Sequence, residues 1–411
     1  MRPLLRPTVV VLTAVAFACS NPMEQTTGAG GGGGGSRTHA SSLRLSVVLA
    51  RLGVSQSFQL HATVRDSTGA VIANPLVTYL SANTSLATVS SQGLIHGIGL
   101  GATKVQVSAG GLTTVVPVVV ATHPAGSLTG VISGADSVAS RPFTVAVSSK
   151  GAVYVGRQDL PYVQRTQLPD TAFSDSVLVG DDPTDIAFDS GGTTAYITDQ
   201  FSNSLGVAMV GAGALGDSIP LPGSPYRVIM GLSNVTAYVT TNNQYVFAVD
   251  LGSRSISQSW YLDNPSNGLA WSPDGIHIYA TTYGGILHSL NTATGSDTSL
   301  TLSGKLQDVV VANDGATVYV ANETGGMWVV DSTGAHQASA VPNTFSLVLS
   351  PDGNSLYASQ PALGTVLIVD RSTLTVTTTL SVGGTPRRIA FDPLGEMALI
   401  GNEGGYVSIV R

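Results

Sequence analysis

The chain holds a single cysteine, Cys19, and three lysines, Lys104, Lys150 and Lys305, in 411 residues. One cysteine excludes an intrachain disulfide framework. So few lysines in a chain of formal net charge −7 leave no basic footprint for nucleic acid. Charged residues of both signs make up only 10%, so charge bears on solubility and not on the choice of a partner. Glutamate is scarce too: Glu323, Glu396 and Glu403 are the only ones in the second half. Among chemical motifs there is no nucleophile elbow, zinc-binding HExxH, paired CxxC or phosphate loop. The seven histidines, His39, His61, His96, His123, His277, His288 and His336, are scattered. His277 and His288 fall in neighbouring strands and can approach each other, but no two histidines have the spacing of metal ligands. No metal and no cofactor is expected.

Present in their place are glycine, serine, threonine and valine. Low charge without a shortage of apolar residues argues against disorder. Short β-branched runs such as TVAV, TVYVAN and TVLIVD, separated by Gly, Asp and Pro, read as strands and turns. Beyond the first twenty residues there is no helical periodicity. The length exceeds what one core usually serves, so two or more domains are expected, and the fold class is all-β.

At the N-terminus, Arg2 and Arg6 precede an apolar run from Thr8 to Ala18, too short to span a bilayer as a mature helix. Cys19 follows directly. The segment Ala16-Phe17-Ala18-Cys19 resembles a bacterial lipobox, which implies a signal peptide over 1–18 and lipidation of Cys19. The family usually carries Leu where Ala16 stands and a small residue where Phe17 stands. Ala-Phe-Ala also fits cleavage by the general signal peptidase, which would release the chain to the periplasm or the exterior. Residues 19–42 contain TTGAGGGGGGSRTHASS, a flexible tether. With no strand before it and no helix after it, this run is not a phosphate cradle. The expected address is therefore the cell envelope, by a lipid anchor on the outer membrane or cell surface, or otherwise the periplasm or medium. Contact with a membrane would be through that anchor alone.

Residues 43–121 show short strands broken at intervals suited to a β-sandwich. The stretches Gln59-Leu60-His61-Ala62-Thr63-Val64, Val77-Thr78-Tyr79, Ser81 to Ser90, Gly93-Leu94-Ile95 and Gly101-Ala102 resemble the group-2 bacterial immunoglobulin-like domain. Tyr79 stands where that family commonly has Trp, and an aromatic there still fills a sandwich core. Gly97-Ile98-Gly99-Leu100-Gly101 looks like a dinucleotide loop but lacks the helix that such a loop needs. The resemblance implies a surface spacer or adhesive module and transfers no catalytic residue.

A linker over 122–126 then leads to residues 127–411, where repeats dominate. A tyrosine recurs at 154, 196, 238, 279, 319 and 357, with Leu399 in the seventh place, in steps of 42, 42, 41, 40, 38 and 42 residues. About ten residues before each lies an apolar triplet: VAV, IAF, VIM, LAW, VVV, LVL, IAF. Ser272-Pro273-Asp274-Gly275, Asn313-Asp314-Gly315 and Ser350-Pro351-Asp352-Gly353 mark turns between the two, and third strands end at Asp250, Asn291, Asp331 and Asp370. A period near forty with several short strands per unit is the mark of propeller blades. The rows resemble the YVTN family, most closely at Thr317 to Gly326. The expected architecture is an immunoglobulin-like sandwich followed by a seven-bladed β-propeller. Blade seven ends after its third strand, so Ser127 to Ile132 is expected to supply the fourth and hide the strand edges.

Innermost strands converge on a channel, and residues that begin them form a ring. Alignment of the repeats puts Thr144, Asp185, Arg227, Gly268, Asp308, Ser346 and Arg388 in one row, and Phe143, Thr184, Tyr226, Asn267, Gln307, Phe345 and Arg387 in the row before it. The candidate ligand contacts at this mouth are Asp185, Tyr226, Arg227, Asn267, Gln307, Asp308, Arg387 and Arg388. Arginines, acids, amides and aromatics together suit an anionic or polyhydroxylated small ligand. The same charges can instead pair between neighbouring blades.

Three functional readings follow. The leading one is a non-catalytic binding or interaction scaffold of the envelope, with the propeller recognising a small polar or anionic ligand or an envelope protein. A second is a propeller enzyme, since some propellers related to this repeat family are lactonases and others lyases that use a metal with His and Glu. No catalytic set of that kind carries over. A third is a structural or adhesive envelope component, and the fold alone does not decide among them.

Overall fold

The computed structural model describes residues 12–14, 39–124, 126–133 and 141–411. Cys19 and most of the expected signal peptide and tether lie outside the described residues. Leu12–Ala14 is a short strand paired antiparallel with Leu43 to Leu45.

From Ala40 to Ala121 the chain forms a β-sandwich. One sheet runs in the order Ala50–Gly53, Leu112–Ala121, Gly101–Ala109, Val77–Ser81, its first pair parallel and the rest antiparallel. Against it stand the pair Ala40–Leu45 with Ala62–Asp66 and the triplet Ser57–Gln59, Leu94–Gly97, Ala87–Val89. Alternation along these strands sends Leu43, Leu52, Val64, Ile95, Val105 and Val118 into one core. Tyr79 is only partly buried, packed on the edge of that core. Gly97 closes a strand where any Cβ would meet the Gly53 carbonyl oxygen at 2.4 Å. The glycine-rich stretch is therefore a close backbone crossing.

Seven four-stranded antiparallel sheets follow. Their innermost strands are Pro142–Val147, Pro183–Phe188, Pro225–Met230, Ser266–Trp271, Leu306–Val311, Leu347–Leu349 and Pro386–Phe391. The expected turn chemistry is what closes the hairpins. Ser272-Pro273-Asp274-Gly275 and Ser350-Pro351-Asp352-Gly353 bond the glycine amide to the serine carbonyl at 3.0 and 2.8 Å, with φ +69° and +78°, values that glycine accepts without strain. Asp250, Asn291, Asp331 and Asp370 each turn a side-chain oxygen onto backbone amides two or three residues on, an Asx turn at the end of the third strand. Between blades, the repeated tyrosine meets the aromatic that ends the next innermost strand. Tyr154 lies edge-on to Phe188 at 5.1 Å, Tyr238 to Trp271 at 5.2 Å and Tyr357 to Phe391 at 4.9 Å. Each such pair adds about 0.5–1.5 kcal/mol beyond area burial.

Leu128–Ser133 pairs antiparallel with Tyr406–Val410 and completes blade seven, as the sequence leads one to expect. Ile132 is fully buried there among Val145, Val155, Leu399 and Ile409. The linker that leads into this strand is docked on the propeller. The Thr122 amide donates to the Leu394 carbonyl at 2.9 Å, the Tyr357 hydroxyl donates to the Pro124 carbonyl at 2.9 Å, and His123 Nδ1 lies 2.7 Å from Asp352 Oδ2. The sandwich rests on turns at the same end, the Val48 amide donating to the Pro273 carbonyl and Asn313 Nδ2 to the Arg51 carbonyl, both at 3.3 Å.

Candidate functional site

The innermost strands stack their side chains in layers along the channel. In the first layer, Phe143 lies edge-on to Tyr226 at 6.1 Å and to Phe345 at 5.9 Å. Arg387 sits over Phe345 at 4.7 Å and donates through Nε to Glu403 Oε1 at 3.0 Å. Gln307 donates to Glu323 Oε2 at 2.8 Å, and Asn267 to the Leu306 carbonyl at 3.2 Å. Phe143, Thr184, Gln307 and Phe345 are buried. Tyr226, Asn267, Gln307 and Arg387 thus belong to an aromatic-rich plug in which Asn267, Gln307 and Arg387 are bonded to the Leu306 carbonyl, Glu323 and Glu403. Burial raises the Tyr226 hydroxyl above its ordinary pKa, with the neighbouring arginines lowering it only in part.

The second layer is an ion network. Asp308 is 1% exposed and accepts from Arg227 Nη2 at 3.0 Å, Arg388 Nη1 at 2.9 Å, Ser346 Oγ at 3.0 Å and the Leu347 amide at 3.2 Å. Asp185 accepts from Arg227 Nη1 at 3.3 Å, Thr144 Oγ1 at 3.3 Å and the Val228 amide at 3.0 Å. Both aspartates therefore bond a backbone amide of the following blade, and the arginines reach across the channel. Burial would lower the Arg227 pKa, but the Asp185 and Asp308 carboxylates outweigh it and hold the group above its ordinary value. Arg388 packs its guanidinium under the plug, 5.4 Å from the Phe345 ring and 5.6 Å from Tyr226. Three buried nitrogens of this layer, Arg227 Nε and Arg388 Nε and Nη2, have no hydrogen-bond partner among the described residues.

Below this layer the channel is open. The middle residues of the apolar triplets, Ala146, Ala270, Val310, Val348 and Ala390, are half-buried and line a cavity of about 760 Å³. Asp185, Arg227, Asp308 and Arg388 form its blind end, and Arg51, Ala102 and Val119 of the sandwich border the other. The cavity opens at the opposite end of the channel from the mouth expected from the sequence. Four of the eight candidate residues border it and four close the far end. Arg51 and the aliphatic wall went unnoticed in the sequence. The wall had a signal, because the middle position of each triplet is aliphatic and often alanine; Arg51 had none, since it comes from the other domain.

The two blade-four histidines do not act together. His277 Nδ1 lies 2.7 Å from Asp274 Oδ2, and the buried His288 has Nδ1 2.9 Å from Asp297 Oδ2. Among the described residues, no group of three or more His, Cys, Asp or Glu is placed to hold a metal ion. None of the described helices is long and apolar enough to cross a membrane.

No protein-family model matches the chain, and no curated protein matches it. Among solved structures it is similar to hydrazine synthase from Kuenenia stuttgartiensis, at 17% identity and a TM-score of 0.61. The match covers 69% of this chain and 97% of that one, a share that residues 127–411 alone would make up. It is one of 1824 matching chains, so the likeness identifies a widely used propeller fold and no particular chemistry.

Proposed function

We propose that the protein is an exported, lipid-anchored component of the cell envelope that binds a small polar or anionic ligand without transforming it. In this reading Cys19 carries the anchor, the segment up to residue 42 is the tether, and residues 43–121 are a group-2 immunoglobulin-like spacer. Residues 127–411 are a YVTN-type propeller. The observation that carries the reading is the cavity of about 760 Å³, within the size range of small-molecule sites, whose blind end is formed by the charged groups Asp185, Arg227, Asp308 and Arg388. An apolar wall with a few convergent polar groups is the usual composition of such a site.

The test is thermal unfolding of the full chain across a panel of sugars, lactones, organic anions and divalent cations, repeated with Arg227→Met. A ligand that binds only the native state raises the midpoint with its saturation, by about 2.7 kcal/mol of stability at a hundredfold excess over Kd. The expected result is a shift with at least one class of compound that Arg227→Met reduces. A flat panel rejects the binding reading in favour of a structural role. Membrane fractionation of the wild type against Cys19→Ser tests the anchor, and equal distribution of the two rejects it.

A further inference from the structure

The cavity has two unlike ends. At the blind end Asp185 and Asp308 cancel the charges of Arg227 and Arg388, so that end is close to neutral. At the sandwich end Arg51 is half-buried and borders the cavity. Among the described residues no carboxylate pairs with its guanidinium. Burial alone pulls it below its ordinary pKa, with no acid to raise it. Asp392 is the other charge on this rim, but its oxygens are turned to the Met397 and Leu394 amides of its own turn, at 2.7 and 3.4 Å. Between the ends the wall is mainly apolar, with Phe188, Trp271 and Phe391 beside the alanines and valines, and Ser148, Ser350 and Asn313 among them. A half-buried cation without a counter-ion costs free energy unless an anion joins it, and the apolar wall rewards a hydrocarbon body.

We infer that the cavity takes an amphipathic organic anion, a carboxylate with an apolar body, whose charge is met by Arg51 of the sandwich and whose body fills the apolar ring of the propeller. The sandwich is then half of the site as well as a spacer. This rests on the reading that the cavity holds a ligand, and narrows it to one class.

The experiment is calorimetric titration of the full chain with straight-chain carboxylates from butanoate to decanoate, and with the matching alcohols and amines. Affinity for the carboxylates is expected to rise about threefold to fourfold per methylene until the cavity is full. Each alcohol should bind about tenfold or more weakly than its carboxylate, and the amines more weakly still. Arg51→Met should bring the carboxylates down to the level of the alcohols. Ala270→Phe, which fills the wall, should abolish binding of both while circular dichroism shows the fold retained. Carboxylates that bind no better than alcohols, or that are indifferent to Arg51→Met or to Ala270→Phe, would overturn the inference. Absence of binding by the whole series while a sugar or lactone still shifts the unfolding midpoint sinks this inference and spares the broader one. A flat result in both experiments sinks both.

Discussion

At the scale of single residues, Asp308 is the group on which the channel turns. It holds two guanidinium groups, a hydroxyl and an amide of the next blade at 1% exposure. A buried ion network is weak evidence for stability as a whole, yet the loss of one member leaves its partners charged and unmatched. Asp308→Ala strands Arg388 against an aromatic plug and leaves Arg227 with Asp185 alone, and is expected to cost about 3–5 kcal/mol in urea unfolding. Ser346→Ala removes one of five partners of the same carboxylate and should cost about 1 kcal/mol. A loss below about 1 kcal/mol for Asp308→Ala would mean that the two arginines find other anions or water, and that the network is not the tie between blades.

At the scale of the repeated element, the end of the second strand shows how one substitution changes a blade. In blades five and seven this position is Asn322 and Asn402. Their Nδ2 groups donate to the Ser303 and Gly383 carbonyls at 3.3 and 2.8 Å, and their oxygens accept the Thr324 and Gly404 amides at 3.1 and 2.9 Å. Blade two carries Asp199 there, fully buried and, among the described residues, with no side chain bonded to either carboxylate oxygen. Burial pushes its pKa up to about 7; the nearby Gly180 amide lowers it in part and Asp181 raises it further. The neighbouring Asp182 is pushed up to about 6, again by burial first, with Arg141 lowering and Asp159 raising it. The native state therefore keeps protons that the unfolded chain releases, and stability falls as pH rises from about 4 to about 7. For Asp199 the loss amounts to at most about 4 kcal/mol. Asp199→Asn supplies the side chain used in the sister blades, so it should flatten this pH dependence and raise the unfolding midpoint at pH values above about 7. A midpoint for Asp199→Asn that still falls with pH as steeply as the wild type would show that the carboxyl is solvated or paired.

Such equivalences explain what was legible in the sequence. The repeating tyrosine, the Asx residues that close third strands and the Ser-Pro-Asp-Gly turns act locally, so each blade states its own hairpins. The ring of Asp185, Arg227, Asp308 and Arg388 was legible as well, because register within a repeat fixes height in the channel. Which end of the channel closes was not legible. It depends on Phe143, Tyr226 and Phe345 meeting at 5.9 and 6.1 Å, and they come from blades one, three and six, whose alignment carries no information on side-chain direction.

At the scale of the whole molecule, one small region joins the propeller's two ends to the sandwich. The strand Leu128–Ser133 closes blade seven on Tyr406–Val410, and the linker just before it is held at Leu394, Asp352 and Tyr357. The orientation of the sandwich, and with it Arg51, is therefore set partly by contacts to blades six and seven. One of these includes a histidine. The hydrogen bond to Asp352 raises the His123 pKa, and burial opposes it only in part. Burial by itself would raise the Asp352 carboxyl, but the His123 and Ser350 hydrogen bonds hold it below its ordinary value. A histidine raised in the folded state contributes fully below its ordinary value of 6.5 and loses that contribution as pH climbs through the higher folded value. The docked linker should therefore loosen on the alkaline side of neutrality. The His123 side chain is 33% exposed, so the effect stays below about 1 kcal/mol. Hydrogen exchange at the Thr122 amide, corrected for its intrinsic rate, reads this directly, with protection expected to fall by up to about fivefold above neutral pH. In Asp352→Asn the histidine should return toward its ordinary titration and the pH dependence of that amide should vanish. If the amide in the wild type keeps the same corrected protection from pH 6 to 9, the sandwich is held by its turn contacts alone and the linker plays no part in placing Arg51 over the cavity.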